Sequence, residues 1–441
     1  MDIPNDFIDR LRAQFPLHAD AVIKAMSGAP VQGLNQNVRK PADDLPDSQA
    51  IAWNPFGRLL MSEHSFALDP LWHQGAYYAM EPASQSLAAA LERIALPEDA
   101  HCLDLCAAPG GKTSVLLNAL PDEALLVSNE IHPQRARVLY ENAVKWGRAN
   151  HIVTHASPDE LCNSGVRFDV IVVDAPCSGE GMFRKDPGAR SEWSAENVQM
   201  CAMRQHDILD RAVEMLNPGG VLIYSTCTMA NEENDSQADR LLSMYDLEVV
   251  SLDFVRFGCL KTKHGWQFAP GLTQSEGLFL VALRRKGTRQ QRKDHGTNGT
   301  EKLPVLPIEL QLPEGHLVMA GDRLRYFPSH LEPLTAQFRE ARIQILKAGI
   351  ALARQKGKHW LPDHELAMWE ALAEACPMVP RIALSREEAL QYLRLVSGRD
   401  QWPKSWVLPT YGGLTLGWAK SIGHRWNNHY PDVWKLRQSG I

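Results

Sequence analysis

The sequence predicts an α/β protein whose central domain is a doubly wound parallel sheet. Between about residues 100 and 285, short apolar runs alternate with stretches of helical periodicity. Several runs are apolar at nearly every position, as in strands buried on both faces of a parallel sheet. Three of them end at an acidic residue: Asp104, Glu130 and Asp174. Ligands of such sheets bind beyond the carboxyl ends of the strands, so these acids are candidate site residues.

Residues 1–95 are predicted to form an α/β extension. Phe7, Leu11 and Phe15 have the spacing of one face of a short helix, and a second helix is predicted near 82–94. We expect this extension to flank the active site.

The predicted catalytic domain spans residues 96–286. Its strands are predicted at 102–105, 125–130, 151–156, 168–176, 221–227, 247–252 and 277–285, and its helices at 112–120, 133–146 and 196–216. The candidate site residues Asp104, Glu130 and Asp174 precede Lys286, so we expect them to lie in this domain.

The remaining chain is divided into three predicted parts. Residues 287–302 are basic, polar and rich in glycine and threonine, which is typical of a flexible linker. Residues 303–380 are predicted to form a small mixed domain. Residues 381–441 combine a predicted helix at 385–396 with strand-like segments, and form a separate carboxyl-terminal domain.

A turn of small residues joins the first predicted strand of the catalytic domain to its first helix. The turn consists of Cys106, Ala107, Ala108, Pro109, Gly110 and Gly111, and Lys112 follows it. Glycines let the backbone approach a ligand closely, and the N–H groups at a helix start can bind its polar edge. The dinucleotide pattern GxGxxG is absent, and a nucleoside triphosphate loop would need glycine where Cys106 stands. The loop therefore favours a cofactor that carries a nucleoside but no phosphates.

Charge is distributed unevenly along the chain. Residues 1–283 contain 22 Lys/Arg and 37 Asp/Glu, a net charge of −15, whereas residues 284–441 contain 24 and 15, a net charge of +9. This split indicates an acidic catalytic body with a basic module that binds a polyanion. The alternative is a chance asymmetry that includes a basic linker.

The end of the chain mixes positive charge with aromatic residues. Residues 401–441 contain five Lys/Arg and one Asp, with large aromatic side chains at Trp402, Trp406, Trp418, Trp426, Tyr430 and Trp434. Cations and stacking faces together are typical of RNA binding. A small β domain that uses the tryptophans as its core is the alternative.

The eight cysteines contain no CxxC pair, so neither a disulfide framework nor a metal site is expected. Cys177 and Cys227 differ from the others because each follows an apolar strand on the ligand side of the predicted sheet. A predicted helix start just beyond Cys227, at residues 231–234, would favour its thiolate. No run of 18 apolar residues occurs, and the first residues are acidic and amphipathic, so we expect a cytoplasmic protein without a membrane span.

Four motifs occur in a characteristic order: LDLCAAPGGKT (103–113), DAPCSGEG (174–181), NPGG (217–220) and YSTCT (224–228). Together they resemble the Sun-type (RsmB/RsmF) RNA cytosine-5 methyltransferases, which have a Rossmann-like domain and use S-adenosylmethionine. The segments GWQFAPGLTQSEGLFLVALRRKG, PDHELA and YGGLTLGWAKSIGHRWNNHYP resemble the RsmF branch, with its PUA-like RNA-binding region. The resemblance covers nearly the whole chain.

The resemblance implies a role for each site residue. Cys227 would be the nucleophile that adds to C6 of cytosine, and Cys177 would assist loss of the C5 proton and release of the enzyme. Asp174 would bind the N3/N4 edge of the base, with Lys112 beside it. The cofactor would be bound by residues 106–112, Glu130 and Asp174, with Arg135 bracing the pocket.

The resemblance further implies a monomer that acts on RNA, with 16S rRNA or the small ribosomal subunit as the expected partner. The same chemistry on tRNA is an alternative substrate. A ribosome-assembly factor without catalysis would have no need of two active-site cysteines, and methyltransferases acting on small molecules or proteins typically lack them. Ser157 stands where many relatives have aspartate, a position that usually contacts the adenine.

Overall fold

The computed structural model describes residues 3–289 and 305–438. A ten-stranded sheet forms its centre, flanked by one four-stranded sheet before it in the chain and by a four-stranded and a five-stranded sheet after it. Most of the predicted linker, residues 290–302, lies outside the described residues.

The amino-terminal unit contains four helices and a four-stranded antiparallel sheet of order β2-β3-β1-β4. The helices are α1 (Asn5–Gln14), α2 (Ala19–Ala25), α3 (Pro70–His73) and α4 (Leu87–Ile94), and the strands are β1 (Gly33–Gln36), β2 (Ser48–Ile51), β3 (Asn54–Leu60) and β4 (Tyr77–Ala79).

The catalytic domain contains nine strands and six helices of the described chain. The strands are β5 (His101–Asp104), β6 (Leu125–Asn129), β7 (His151–His155), β8 (Phe168–Asp174), β9 (Leu216–Thr226), β10 (Leu247–Val249), β11 (Leu260–Lys261), β12 (Trp266–Phe268) and β13 (Leu278–Arg285). The helices are α5 (Gly111–Ala119), α6 (Pro133–Trp146), α7 (Pro158–Asn163), α8 (Pro187–Glu192), α9 (Ala195–Met215) and α10 (Asp235–Met244).

Five central strands are parallel and lie in the order β9-β8-β5-β6-β7. Chain order reverses between β5 and β8, and such a switch point opens a crevice at the carboxyl ends of the strands. The strands alternate their side chains between two cores, with α9 and α10 on one face and α4 and α5 on the other. The predicted doubly wound sheet is therefore confirmed. The β11–β12 hairpin was not predicted, because its strands are two and three residues long and show no periodicity.

The unit after the linker has five strands and three helices, but its strands belong to two different sheets. They are β14 (His316–Ala320), β15 (Arg323–Phe327), β16 (Gln344–Ala348), β17 (Ile350–Lys356) and β18 (His359–Pro362), with helices α11 (Glu332–Glu340), α12 (His364–Met368) and α13 (Leu372–Ala375). Four strands form the sheet β14-β15-β17-β18, whereas β16 pairs antiparallel with β7 of the catalytic sheet. The unit predicted at residues 303–380 is therefore not self-contained, because one of its strands extends the catalytic sheet. Without β16, β7 would be an edge strand with unpaired backbone groups.

The carboxyl-terminal unit has one helix, α14 (Arg386–Leu393), and five strands. The strands are β19 (Arg381–Ala383), β20 (Trp406–Tyr411), β21 (Leu414–Thr415), β22 (Ala419–Ser421) and β23 (Trp426–Asn428). Most of the aromatic residues offered above as stacking faces are instead core, which corrects that expectation: Trp406, Trp418, Trp426 and Tyr430 are buried. Trp402 is half-buried and stacks on Trp426, with ring centroids 4.4 Å apart. A domain this small needs large apolar side chains to bury enough surface.

The units pack against each other. Gln74 of the amino-terminal unit donates from Nε2 to the carbonyls of Tyr411 and Leu414, at 3.0 and 2.6 Å. The core beneath β15 and β17 also includes Trp406 and Leu408 of β20. Across the described ranges, no helix is both long enough and apolar enough to cross a bilayer.

Candidate active site

The loop between β5 and α5 is held from the neighbouring strand and helix. Arg135 of α6 donates to the carbonyl of Ala108 at 2.5 Å, and Asn142 donates to that of Pro109 at 2.8 Å. The N–H of Ala107 bonds to the carbonyl of Asn129 at 2.9 Å. Gly110 precedes the helix with φ of 116°, a conformation that favours glycine. Residues 106–110 thus form one hydrogen-bonded turn at the crevice, and the predicted residues Gly111 and Lys112 begin α5.

The amino-terminal extension packs on this turn. Tyr78 and Met80 lie against Gly110 and Gly111. Glu81 then anchors the extension to the segment before β13, since its carboxylate accepts from the N–H of Glu276 at 2.7 Å. Met80 therefore acts here as a packing residue.

Buried carboxylates end the first two strands of the domain. Asp104 is fully buried, accepts a hydrogen bond from Thr113 at 2.7 Å, and has a second oxygen, Oδ1, without a partner among the described residues. Burial raises the pKa of Asp104 to about 7. Glu130 is also buried; it accepts from the N–H of His132 at 2.9 Å and lies 3.5 Å from Arg135.

These carboxylates fit S-adenosylmethionine. An unpartnered buried acceptor such as Asp104 Oδ1 suits a cationic amino group, and Glu130 can accept from ribose hydroxyls. Cys106 has no nucleophilic role in this arrangement, because burial and the nearby carboxylates raise the pKa of its thiol above the usual range.

An ion pair lies at the end of β8. Lys112 Nζ is 2.9 Å from Asp174 Oδ1; the lysine side chain is 6% exposed and the aspartate side chain 38% exposed. Ser225 of β9 donates to the same oxygen at 2.8 Å. Lys112 therefore reaches Asp174 from the protein interior, while Asp174 remains accessible to a ligand. Ser225 was not predicted as a site residue, although it lies in the YSTCT motif two residues before Cys227.

The two candidate thiols meet at the same edge. The sulfur atoms of Cys177 and Cys227 lie 2.9 Å apart, and both residues are half-buried. The hydrogen bond with Cys227 and burial raise the pKa of Cys177 well above its usual value. Burial and this contact therefore favour the protonated thiol of Cys177 beside Cys227.

Ser157 has a local structural role. Its hydroxyl caps α7, accepting from the N–H of Glu160 at 3.2 Å and donating to the Glu160 carboxylate at 2.9 Å. This capping box occupies the hydroxyl group.

Comparisons with known proteins identify the family of this chain. Residues 92–284 match the family described as 16S rRNA methyltransferase RsmB/F, and residues 379–436 match the methyltransferase RsmF PUA domain. The chain is 32% identical over 391 residues to ribosomal RNA small subunit methyltransferase F of Klebsiella pneumoniae, covering 81% of this chain and 77% of that protein. It is 30% identical over 481 residues to the Cronobacter sakazakii protein of the same name, covering 97% and 95%.

Two solved structures share the fold. A methyltransferase homolog from Pyrococcus horikoshii has a TM-score of 0.56 at 24% identity, covering 64% of this chain and 95% of that one. NSun6 from Pyrococcus horikoshii with SFG has a TM-score of 0.56 at 17% identity, covering 65% and 99%. The chain belongs to the RsmB/F family of 16S rRNA methyltransferases and carries the PUA domain of the RsmF type.

Proposed function

We propose that this protein methylates C5 of cytosine in small-subunit (16S) ribosomal RNA through a covalent bond between Cys227 and C6 of the base. The observation that carries the proposal is the pair of thiols, 2.9 Å apart, at the same sheet edge as the Lys112–Asp174 ion pair. S-adenosylmethionine is the cofactor, and it supplies an electrophilic methyl group on its sulfonium.

Cys227 supplies the activation that C5 of cytosine needs. Its thiolate adds to C6, and the electron pair of the C5–C6 double bond moves onto C5, which then accepts the methyl group. Asp174 hydrogen-bonds the N3/N4 edge of the base and stabilises the adduct, while Lys112 keeps Asp174 oriented. Release begins when the C5 proton leaves to solvent water, a step that Cys177 assists, and the C5–H electron pair re-forms the C5–C6 double bond. The C6–sulfur bond breaks as this double bond forms, and its electrons return to Cys227 as thiolate.

The cofactor pocket is proposed to be the turn and the two carboxylates beside it. The turn from Cys106 to Lys112 would approach the cofactor through its backbone, since its small side chains leave room. Glu130 would accept from the ribose hydroxyls. Arg135 would brace the pocket, because it bonds to the turn and lies beside Glu130 at once.

RNA is proposed to be captured by a cationic patch of three residues, Arg354, Lys356 and Lys420. Arg354 and Lys356 lie on β17, and Lys420 lies on β22 of the carboxyl-terminal unit. The Nζ atom of Lys420 is 5.1 Å from the ring centre of Trp406. Within the described ranges, none of the three makes an ion pair with an acidic residue. Burial is the largest cause that lowers the pKa of His429, and the positive charges of these three residues lower it further. The three cations therefore lie near one another. Such unpaired cations suit phosphate groups.

The test is bisulfite sequencing of total RNA from cells with and without the gene, followed by methylation of purified rRNA, small subunits and tRNA with the purified protein. A cytidine of 16S rRNA that loses its methyl group only in the deletion strain supports the proposal. Loss of a methyl group at a tRNA position, with 16S rRNA methylation unchanged, would show that tRNA is the substrate in place of 16S rRNA. No change in any RNA would overturn the proposal.

A further inference from the structure

The loops that carry Cys177 and Cys227 are joined by hydrogen bonds that do not involve the two sulfur atoms. The N–H of Gly181 donates to the carbonyl of Cys227 at 2.7 Å, and the hydroxyls of Ser178 and Thr228 lie 2.9 Å apart. These bonds connect the chain after β8 to the chain after β9. Their presence means that the position of Cys177 depends on residues that do not themselves contact the substrate.

Glu233 makes a third connection, and it is fully buried. Its carboxylate Oε2 accepts from the N–H of Ser178 at 3.1 Å and from Nε2 of Gln205 at 2.8 Å. Gln205, on α9, also donates to the carbonyl of Pro176 at 3.0 Å. The peptide groups on both sides of Cys177 are therefore bound by one glutamate–glutamine pair.

The charge of Glu233 also acts on Cys177. Burial raises the pKa of Glu233 to about 7, so a large fraction is ionised at neutral pH. Its negative charge adds to the hydrogen bond and burial that raise the pKa of Cys177. An ionised Glu233 consequently favours the protonated form of Cys177.

We propose that Glu233 is a positioning residue, which together with Gln205 holds Cys177 in place against Cys227 for the release step. This inference rests on the proposed covalent mechanism and extends it to residues outside the cytosine site. Glu233 acts through Cys177 and has no contact of its own with the base.

The experiment measures turnover and the covalent RNA–protein complex on denaturing gels for Glu233→Ala, Glu233→Gln and Cys177→Ala. Glu233→Ala should accumulate the complex and lower turnover by about 100-fold, the order expected when a catalytic group shifts by about 1 Å. Glu233→Gln should be intermediate, because its amide oxygen can still accept from Ser178. In the double variant with Cys177→Ala, removing Glu233 should add little, since both changes affect the same step.

Asp235→Asn is the matched control, because Asp235 is also buried at the start of α10 but accepts from the N–H of His264, away from the thiols. It should keep turnover and leave no complex, and thermal melts check that every variant is folded. If Cys177→Ala accumulates the complex and folded Glu233→Ala does not, the positioning role is wrong. If neither accumulates it, the covalent mechanism itself is wrong.

Discussion

The sulfur atoms of Cys177 and Cys227 lie 2.9 Å apart, although 50 positions separate the two residues in the chain. They meet because β8 and β9 are parallel neighbours, so the loops that follow both strands leave the sheet at the same edge. The contact distinguishes the two thiols, since Cys177 is held in its protonated form by this bond and by burial, which raise its pKa.

Replacing each cysteine should therefore have a different effect. Cys227→Ala should abolish methyl transfer because no thiolate remains to add to C6. Cys177→Ala should still form the adduct but release it slowly, so a retarded RNA–protein band should accumulate on a denaturing gel. Full turnover by Cys227→Ala, or no retained band for Cys177→Ala, would contradict the assignment.

Lys112→Ala and Asp174→Asn should reduce activity far more than stability. Asp174 is partly exposed and remains solvated without Lys112, and the amide oxygen introduced by Asp174→Asn can still accept a hydrogen bond from Lys112, so folding should change little. Loss of a group that stabilises the adduct should instead lower kcat by about 100-fold or more. Steady-state kinetics and thermal melts measure the two effects. Lys263→Ala, which breaks a surface pair with Asp239, is the control for Lys112→Ala because it removes the same charge. A wild-type rate in either site variant would exclude that residue from catalysis.

Cofactor affinity should rise with pH through about 7. Burial raises the pKa of Asp104 to about 7 from an ordinary 3.8, so this group stabilises the fold most below about pH 4 and less as the pH rises through 7. A cationic cofactor favours the ionised carboxylate, and its binding should release a proton. Calorimetry between pH 6 and 8 tests this. Asp104→Asn should bind more weakly with little pH dependence, and an unchanged pH dependence in this variant would assign the effect to another group.

Neutralising the cationic patch should weaken RNA binding and its dependence on salt. The double variant Arg354→Gln/Lys356→Gln should lower the slope of log affinity against log salt by about 1.5, since each phosphate contact contributes about 0.7–0.9. Arg339→Gln is the control, because Arg339 lies in the same unit but is paired with Glu332. Equal slopes for the double variant and the wild type would place the RNA contacts elsewhere.

Breaking the buried ion pair between Arg325 and Glu365 should destabilise the whole protein. The two side chains are 2.8 Å apart and 7% and 2% exposed, and Glu365 also accepts from Tyr140 of α6 at 3.0 Å. Glu365→Ala leaves a buried guanidinium without its partner, which costs about 3–5 kcal/mol. Chemical denaturation measures the change, which should far exceed that of Lys263→Ala. A change below about 1 kcal/mol would mean that water replaces the carboxylate.

Local patterns made much of this fold predictable. The predicted helix at 133–146 agrees with Pro133–Trp146, and the predicted strand at 168–176 contains Phe168–Asp174. Periodicity, glycine and capping signals are properties of neighbouring residues, and they place the motif residues at strand ends before any contact is known. The identity of the candidate thiols, ion pair and turn could therefore be proposed from the sequence.

Other features depend on contacts between distant parts of the chain. Nothing in the residues around Gln344–Ala348 indicates that this strand joins β7, and the buried state of Trp418 cannot be distinguished from an exposed stacking face by composition. Glu233 and Gln205 likewise have no motif that marks them as partners. These pairings and burial states depend on which surfaces pack together and exclude water. That packing is determined by the whole chain and not by neighbouring residues alone.

The sequence by itself determined the parallel strands and main helices of the catalytic domain, the small-residue turn and the positions of the two cysteines, because these follow from local spacing and residue type. Only the tertiary structure decided that the thiols touch, that Glu233 and Gln205 hold Cys177, and that β16 completes the catalytic sheet. The physical reason is that hydrogen bonds and burial act between neighbours in space, and parallel strands bring together residues far apart in the chain.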